Sequence, residues 1–442
     1  MVRSAHRQSV NPPRLPLQLQ NFWLETVHRD PPVRQEPLPS KVDVAIMGGG
    51  NTGLSAARSF AMGGARVIVL EAMSMGWGAS SRNGGMVLTG LQTSMESVRD
   101  RHGPDVARRL FACSLESIRT VEEIIRAEKI SCGFTRSGHV LLASKPGHVA
   151  AFAREAEYMA AELGHNVELI PASELNSEIG SRHFYGGLRD RVSAGLNPAQ
   201  YVQGLALAAE RAGAGLHANT RVLSVKRKGH GFSVSTTRGT VAAERVLAAT
   251  AGLTGSATRK LQRRIIPIGS FIVATEQLPA GLCNELIPQG RMLFDSRHFL
   301  SYFRRWDDRL IFGGRAAFFP ETSSTVRQSA EILRRKMTHV FPQLEQVAIE
   351  YAWGGTLDFS FDRMTHVGED DGILYSLGYA GHGVAMATYL GKTLAEAVLA
   401  GTLQEHPFAS VPLPRAPLGL YGGWPWFLPL VGAYVKVLDW IQ

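Results

Sequence analysis

Two hydrophobic periods alternate along the chain. Residues 42–47 hold Val42, Val44 and Ile46 in a short apolar run, the pattern of a strand buried on both faces. Residues 54–62 follow with Ala56, Ala57 and Phe60 on one side, which predicts a helix. Residues 66–70 form a second strand-like run that ends in Glu71. Leu110, Cys113, Ile118, Val121 and Ile125 approximate one helical face within residues 103–130. Asn197 before Pro198 predicts the cap and first turn of a helix reaching about Arg211. Strand-like runs come at residues 220–225, 232–236 and 244–252. Residues 291–317 are rich in aromatic and β-forming side chains, with turn chemistry at Asp307 and Asp308 that predicts a hairpin. A small-residue helix follows Val384. The order predicts an α/β protein with two domains interleaved in sequence. Residues 41–95, 192–263 and 355–412 make one; residues 96–191 and 264–354 make the other, on a mixed or antiparallel sheet. Residues 1–40 are a Pro- and Arg-rich arm whose Phe22-Trp23-Leu24 docks on the body, and residues 413–442 are a hydrophobic tail.

The junction of the first strand and helix carries chemistry. Gly48, Gly50 and Gly53 are spaced GxGxxG. The first glycine permits the tight turn, the second lets a pyrophosphate approach the backbone, and the third lets the helix pack closely on the strand. Asn51 and Thr52 open the helix, where unpaired N–H groups and a partial positive charge favour phosphate. Glu71, about 20 residues on, suits ribose hydroxyls. A carboxylate there disfavours the 2′-phosphate of NADP. A second loop crowds Gly76, Gly78, Ala79, Ser80, Ser81, Arg82, Asn83, Gly84 and Gly85 together. Small residues there let a bulky cofactor lie against the backbone, with Ser80 and Ser81 in reach of phosphate oxygens. A simple NAD-binding fold has no need of such a loop, so FAD is expected.

These two segments and a late Gly378-Tyr379-Ala380-Gly381-His382-Gly383-Val384 stretch resemble the D-amino-acid-oxidase family of flavoproteins, and within it the gamma-glutamylputrescine oxidoreductase-like members. Residues 267–276, 312–315 and 353–359 support the resemblance, which spans residues 41–402. It implies a Rossmann-like FAD-binding domain of the glutathione-reductase type, interleaved with the substrate domain. It implies that the 244–252 block, with Gly252, returns to the FAD domain and that backbone near Val222 meets the adenine. A plain sheet strand is the other reading of Val222. Gly381, His382, Gly383 and Val384 would lie at the flavin, where a helix N-terminus can stabilise negative charge on the ring. Some sarcosine-oxidase-like relatives attach flavin to a cysteine near here. Residues 355–366 contain none, so non-covalent FAD is expected.

The implied reaction removes hydride from a carbon bearing an amine, and the imine formed hydrolyses. Oxygen is the expected acceptor, with peroxide formed. Quinone is the alternative, and an FAD-bearing subunit of a hetero-oligomeric dehydrogenase is another. No side-chain acid or base is obligatory, so contacts are named instead. His382 can bond near the ring or be a packed turn histidine. Arg315, after Gly313 and Gly314, can clamp a substrate carboxylate bidentately or form a structural ion pair. Tyr302 and Arg363 are candidates of the same kind.

Charge and cysteines alter little. The net charge of +9 favours anionic partners. The charge is dispersed and no nucleic-acid motif is present, so a solvated basic face is the simpler reading. Cys113, Cys132 and Cys283 are too far apart for a metal site or a disulfide framework and suit a reducing, cytoplasmic compartment. No apolar run is long enough to span a membrane. The tail is different: Trp424, Trp426, Phe427, Tyr434 and Trp440 are interfacial residues, interrupted by Pro425, Pro429 and Gly432. Residues 418–441 are therefore expected either at an anionic membrane surface or packed on protein.

Overall fold

The computed structural model describes residues 16–27, 37–317 and 321–432, and among these the side chains of residues 315–317 and 418 are left out. Strand Lys41–Met47 sits at the centre of the first sheet, parallel to Val67–Leu70 on one side and to Gly239–Ala248 on the other. The sheet extends through Gly215–His217 at one edge and through Ile373–Leu377 and His366–Asp370 at the other. Burial on both faces explains why residues 44–47, 67–70 and 246–248 of its inner strands are continuously apolar. One face carries Leu54 and Phe60 of helix Asn51–Met62, Leu110 and Val121 of Pro104–Glu128, Leu205 of Pro198–Arg211 and Leu390 of Gly383–Ala400. The other is covered by the antiparallel strands Val222–Lys228 and Gly231–Thr236, whose Phe232 and Val234 meet Met47 and Leu70.

The second sheet runs in the order Ile349–Ser360, Ile265–Thr275, Arg309–Ala317, Tyr302–Trp306, Met292–Asp295, His139–Leu142, Gly186–Asp190 and Glu168–Pro171. Only the pair Met292–Asp295 and His139–Leu142 is parallel, so the sheet is mixed. Val140, Leu293, Phe303 and Phe312 pack beneath Leu333 and Met337 of helix Ser323–Val340. Alternate residues on these strands point to the other face, toward the first sheet's loops. Strand Ile349–Ser360 crosses residue 355, where the sequence places a domain boundary; it pairs with Ile265–Thr275 on both sides of that point, with a register shift only between Ala274 and Thr275.

Several local expectations hold. Asn197 caps its helix by accepting from Ala199 N and Gln200 N. The hairpin turns at Asp307, whose φ is +47°. The three cysteines are buried. In the arm, Phe22 and Trp23 dock on the body while Leu24 stays exposed. Trp23 Nε1 donates to Asn83 O at 2.9 Å, and its ring meets Trp306 edge-on. In the tail, Tyr421 Oη donates to Ile265 O at 2.9 Å and Leu428 is buried. Tyr434 and Trp440 lie outside the described residues.

Helix Gly383–Ala400 crosses helix Asn51–Met62 at Gly391, where a Cβ would collide with Thr52 O. Gly391→Ala should therefore lower stability by about 1–3 kcal/mol, the cost of overpacking, measured as a fall in melting temperature. An unchanged melting temperature would mean that the helices can separate freely at this point.

Candidate functional site

The glycine turn has the geometry its spacing predicts. Gly48 has φ +103°, and a Cβ on it would lie 2.5 Å from Ala249 O. A Cβ on Gly53 would collide with Gly48 O, so this helix can approach the strand only without a side chain there. Gly50 is the helix N-cap, and its Cβ would lie 2.7 Å from Ser80 Oγ. Ser80 Oγ accepts from Asn51 N at 3.0 Å, joining the two glycine-rich loops. Thr52 Oγ1 lies 2.7 Å from Tyr379 Oη. Glu71 Oε2 accepts from Gly49 N at 2.7 Å and Oε1 from Met73 N at 2.9 Å, so this carboxylate braces the turn while facing the cavity.

That cavity has a volume of about 500 Å³. Gly48, Gly50, Asn51, Thr52, Glu71 and Ser80 line it, with Val222, Gly252, Gly381, Gly383 and Val384. Two observations fit a dinucleotide there. Asn51 Oδ1 is buried with no hydrogen-bond partner among the described residues. Leu223 and Leu253 are half exposed yet are cavity walls, placed to be covered by a flat ligand.

Helix Gly383–Ala400 begins at this cavity, with His382 as its N-cap. The preceding loop takes positive φ at Gly378, Ala380 and Gly381 (+86°, +50° and +96°), which glycine allows freely and which strains Ala380. Asp358 holds it. Its Oδ2 accepts from Gly378 N at 2.7 Å and its own carbonyl accepts from Ala380 N at 2.9 Å. Burial pushes the Asp358 carboxyl up to about 7, against the pull of the Gly378 and Tyr379 N–H groups. His382 Nδ1 is buried without a partner among the described residues. Burial, and then His139 nearby, push its ring down to about 4, so it is neutral at pH 7.

Other expected contacts fall differently. Arg82 is turned away from the cavity: Nε donates to Trp77 O at 2.9 Å, Nη1 to Gly354 O at 3.0 Å, and Glu321 lies 3.7 Å away. It is a brace between the loop and the second sheet, and not a phosphate ligand. Ser81 is buried behind Ser80 and does not line the cavity. Asn83 lines it, but its Nδ2 donates to Ala79 O and Ser80 O, and its Oδ1 accepts from Gly85 N. Gly84 and Gly85 lie on the sheet side, beneath Tyr302 and Arg304. Tyr302 shares that face, with Oη 3.4 Å from Ser270 Oγ and its phenol pushed up to about 12 by burial. Arg363 is exposed in a turn with φ +61° and is not brought to the cavity. Arg315 lies in strand Arg309–Ala317, opposite Phe271, and its side chain is outside the described residues. Sequence reasoning missed His139, Arg304 and Asp358, because no motif spacing ties them to the glycine loops.

The model of the family described as "FAD dependent oxidoreductase" (DAO) matches residues 43–397. The chain belongs to this family. It is an FAD flavoprotein with an oxidoreductase fold of the amine and amino-acid oxidase type. It is 33% identical over 401 residues to the "Probable oxidoreductase OrdL" of Rhizobium meliloti, covering 90% of this chain and 92% of that protein. It is 30% identical to the gamma-glutamylputrescine oxidoreductase of Escherichia coli, covering 84% and 86%. Among solved structures, glycine oxidase from Geobacillus kaustophilus superposes with a TM-score of 0.72 at 22% identity, covering 86% of this chain and 99% of that one. L-amino acid deaminase from Proteus vulgaris gives 0.70 at 14%, covering 87% and 100%. At these identities the structures establish the shared fold alone.

Asp358 gives a pH prediction. Its folded-state pKa, about 7, lies above the ordinary 3.8, so folding favours its protonated form. The stability this contributes is complete below the ordinary value and is lost as pH rises through about 7. The melting temperature should fall more between pH 5 and pH 8 in wild type than in Asp358→Asn. Parallel profiles would show that Asp358 does not titrate in this range.

Proposed function

We propose that this flavoprotein oxidises the C–N bond of a small amine or amino acid, with oxygen as acceptor. One observation carries the reading. The glycine-walled cavity meets, at one helix N-terminus, the loop beneath a buried sheet face that bears Tyr302. Gly48, Gly50, Asn51, Thr52 and Ser80 would hold the pyrophosphate, Glu71 the ribose, and Val222 and Gly252 the adenine end. FAD, held without a covalent bond, supplies the acceptor for hydride. The chain's own work is to hold the amine-bearing carbon against it and to keep water out. The N-terminus of helix Gly383–Ala400 would stabilise the negative charge that develops. His382, neutral, would bond at the ring without taking the substrate's proton. Arg315 and Tyr302 would orient a substrate carboxylate. Relatives named for gamma-glutamylputrescine, glycine and L-amino acids support the substrate class.

The test is anaerobic mixing of the yellow protein with a panel of amines, N-methyl amino acids and amino acids. At least one should bleach the flavin, faster at higher pH because the amine must lose its proton. Readmitted air should give one peroxide per turnover. Bleaching by no member of the panel would reject the reading; bleaching without peroxide would shift the acceptor to quinone. Flavin that stays on acid-precipitated protein would reject the non-covalent assignment.

The tail favours a second reading for location. Leu420, Trp424, Trp426 and Leu430 are 69%, 62%, 59% and 70% exposed, an unusual outlay of large apolar surface. No helix among the described residues is long and apolar enough to cross a membrane. Such a tail suits peripheral attachment to an anionic leaflet at the cytoplasmic face. Full-length protein should sediment with anionic vesicles, and a chain truncated after Pro417 should not. Full-length protein remaining in the supernatant at low salt would assign the tail to packing on protein.

A further inference from the structure

The second sheet sets a row of side chains toward the loop at residues 78–85. His139 pairs with Asp190 on one side and Met292 on the other. The ladder Leu293 to Phe303 and Phe294 to Tyr302 continues that row to Arg304. A Cβ on Gly195 would lie 2.6 Å from Met292 and 3.0 Å from Arg304 Nη1, so both sit on this face. Their sequence neighbours Val140, Leu293 and Phe303 belong to the opposite core. Arg304 Nη1 donates to Gly85 O and Leu196 O, each at 2.9 Å. No carboxylate pairs with this buried cation among the described residues. The His139 ring stacks on Phe294 at 5.1 Å and is near enough to His382 to lower its basicity.

Hydrogen bonding fixes the tautomer of His139. Ser193 Oγ is buried, accepts from Thr89 N at 3.1 Å and lies 2.8 Å from His139 Nδ1. A hydroxyl has one hydrogen to give. If Nδ1 takes it, the fully buried hydroxyl is satisfied and the ring hydrogen is left to Nε2 of the less buried histidine. In the reverse arrangement a buried hydroxyl hydrogen has no acceptor among the described residues. Nδ1 is therefore the acceptor and Nε2 carries the ring hydrogen. Asp190, the neighbour of His139 across the ladder, makes no hydrogen bond to its ring and turns to other donors: Thr89 Oγ1 donates to its Oδ2 at 2.7 Å, His165 Nε2 lies 2.8 Å from the same oxygen, and Val192 N donates to Oδ1 at 2.7 Å. Nε2 has no hydrogen-bond partner among the described residues, and the residue is not fully buried.

We propose that His139 is a substrate-binding residue whose Nε2–H holds a carboxylate oxygen of the substrate in the field of the unpaired Arg304. The proposal rests on the amine-oxidation reading and deepens it: substrates carrying a carboxylate are selected over simple amines. Ser193 is the positioning residue that keeps the N–H presented.

The test titrates oxidised holoenzyme with sodium acetate, and in parallel with neutral acetamide, following the flavin absorbance band. Wild type should bind acetate. His139→Phe keeps a ring to stack on Phe294 but has no N–H; it should weaken acetate about tenfold or more, the worth of a hydrogen bond to a charged group. Acetamide, whose neutral carbonyl gains less from the same N–H, should weaken much less than acetate, with FAD content and melting temperature near wild type. Ser193→Ala, which frees the tautomer, should weaken acetate several-fold with FAD retained. Unchanged acetate affinity in either variant overturns the proposal, as does equal loss of acetamide, which marks a reshaped cavity. If His139→Phe loses FAD, Ser193→Ala decides alone. Because acetate binding needs no turnover, its failure is distinguishable from failure of the bleaching screen.

Discussion

The structure depends on how one short segment of backbone is satisfied. Helix Ala79–Arg82 and the turn after it lie between the two sheets, where a carbonyl without a donor costs about 1–3 kcal/mol. Nearly every carbonyl there is claimed. Asn83 takes those of Ala79 and Ser80, and Asn21 takes that of Ser81. Trp353 Nε1 takes that of Arg82, Trp23 Nε1 that of Asn83, and Arg304 that of Gly85. The donors come from the N-terminal arm, from the loop itself and from two strands of the second sheet. Neither the arm nor the second sheet can shift relative to the glycine loop without orphaning one of these groups.

This clamp accounts for the division of labour within the loop. Ser80 points into the cavity and ties to Asn51 across it, while Arg82 points the other way. Next to it, Asp358 does for the strained 378–381 loop what the tryptophans do here. Its buried carboxyl has no cationic partner among the described residues, so the geometry of that loop is kept at an electrostatic cost that a neutral protonated acid avoids. Buried polar groups near the cavity thus serve first to fix backbone and only then to meet ligand.

What the sequence discloses follows from where each constraint acts. The glycine turn, the Asn197 cap and the 307–308 hairpin depend on neighbours within a few residues, and they are legible. So is the docking of Phe22 and Trp23, because two large rings in a polar arm have few other places to go. Arg82 was misread because its partners, Gly354 and Glu321, are more than two hundred residues away. His139 is invisible for the same reason. Its meaning comes from Ser193, Thr89 and Asp190, brought together by a sheet in which distant strands pair. Arg363 failed in the opposite sense: the family resemblance placed it near the site, and it sits exposed in a turn with positive φ.

The site also bears on stability. Gly48 and Gly50 lack side chains at the cavity wall, where a Cβ would meet Ala249 O and Ser80 Oγ, and glycine costs conformational entropy on folding. Leu223 and Leu253 hold apolar surface in the open, and Asn51 Oδ1 and His382 Nδ1 have no partners among the described residues. Each of these is a cost in the chain by itself, and each lies on or beside the same cavity. A ligand that fills it covers the leucines and supplies donors or acceptors to the orphaned atoms. Binding of FAD to the folded state alone then returns stability by mass action. The arrangement that makes room for the cofactor is therefore also the one that makes the fold depend on it.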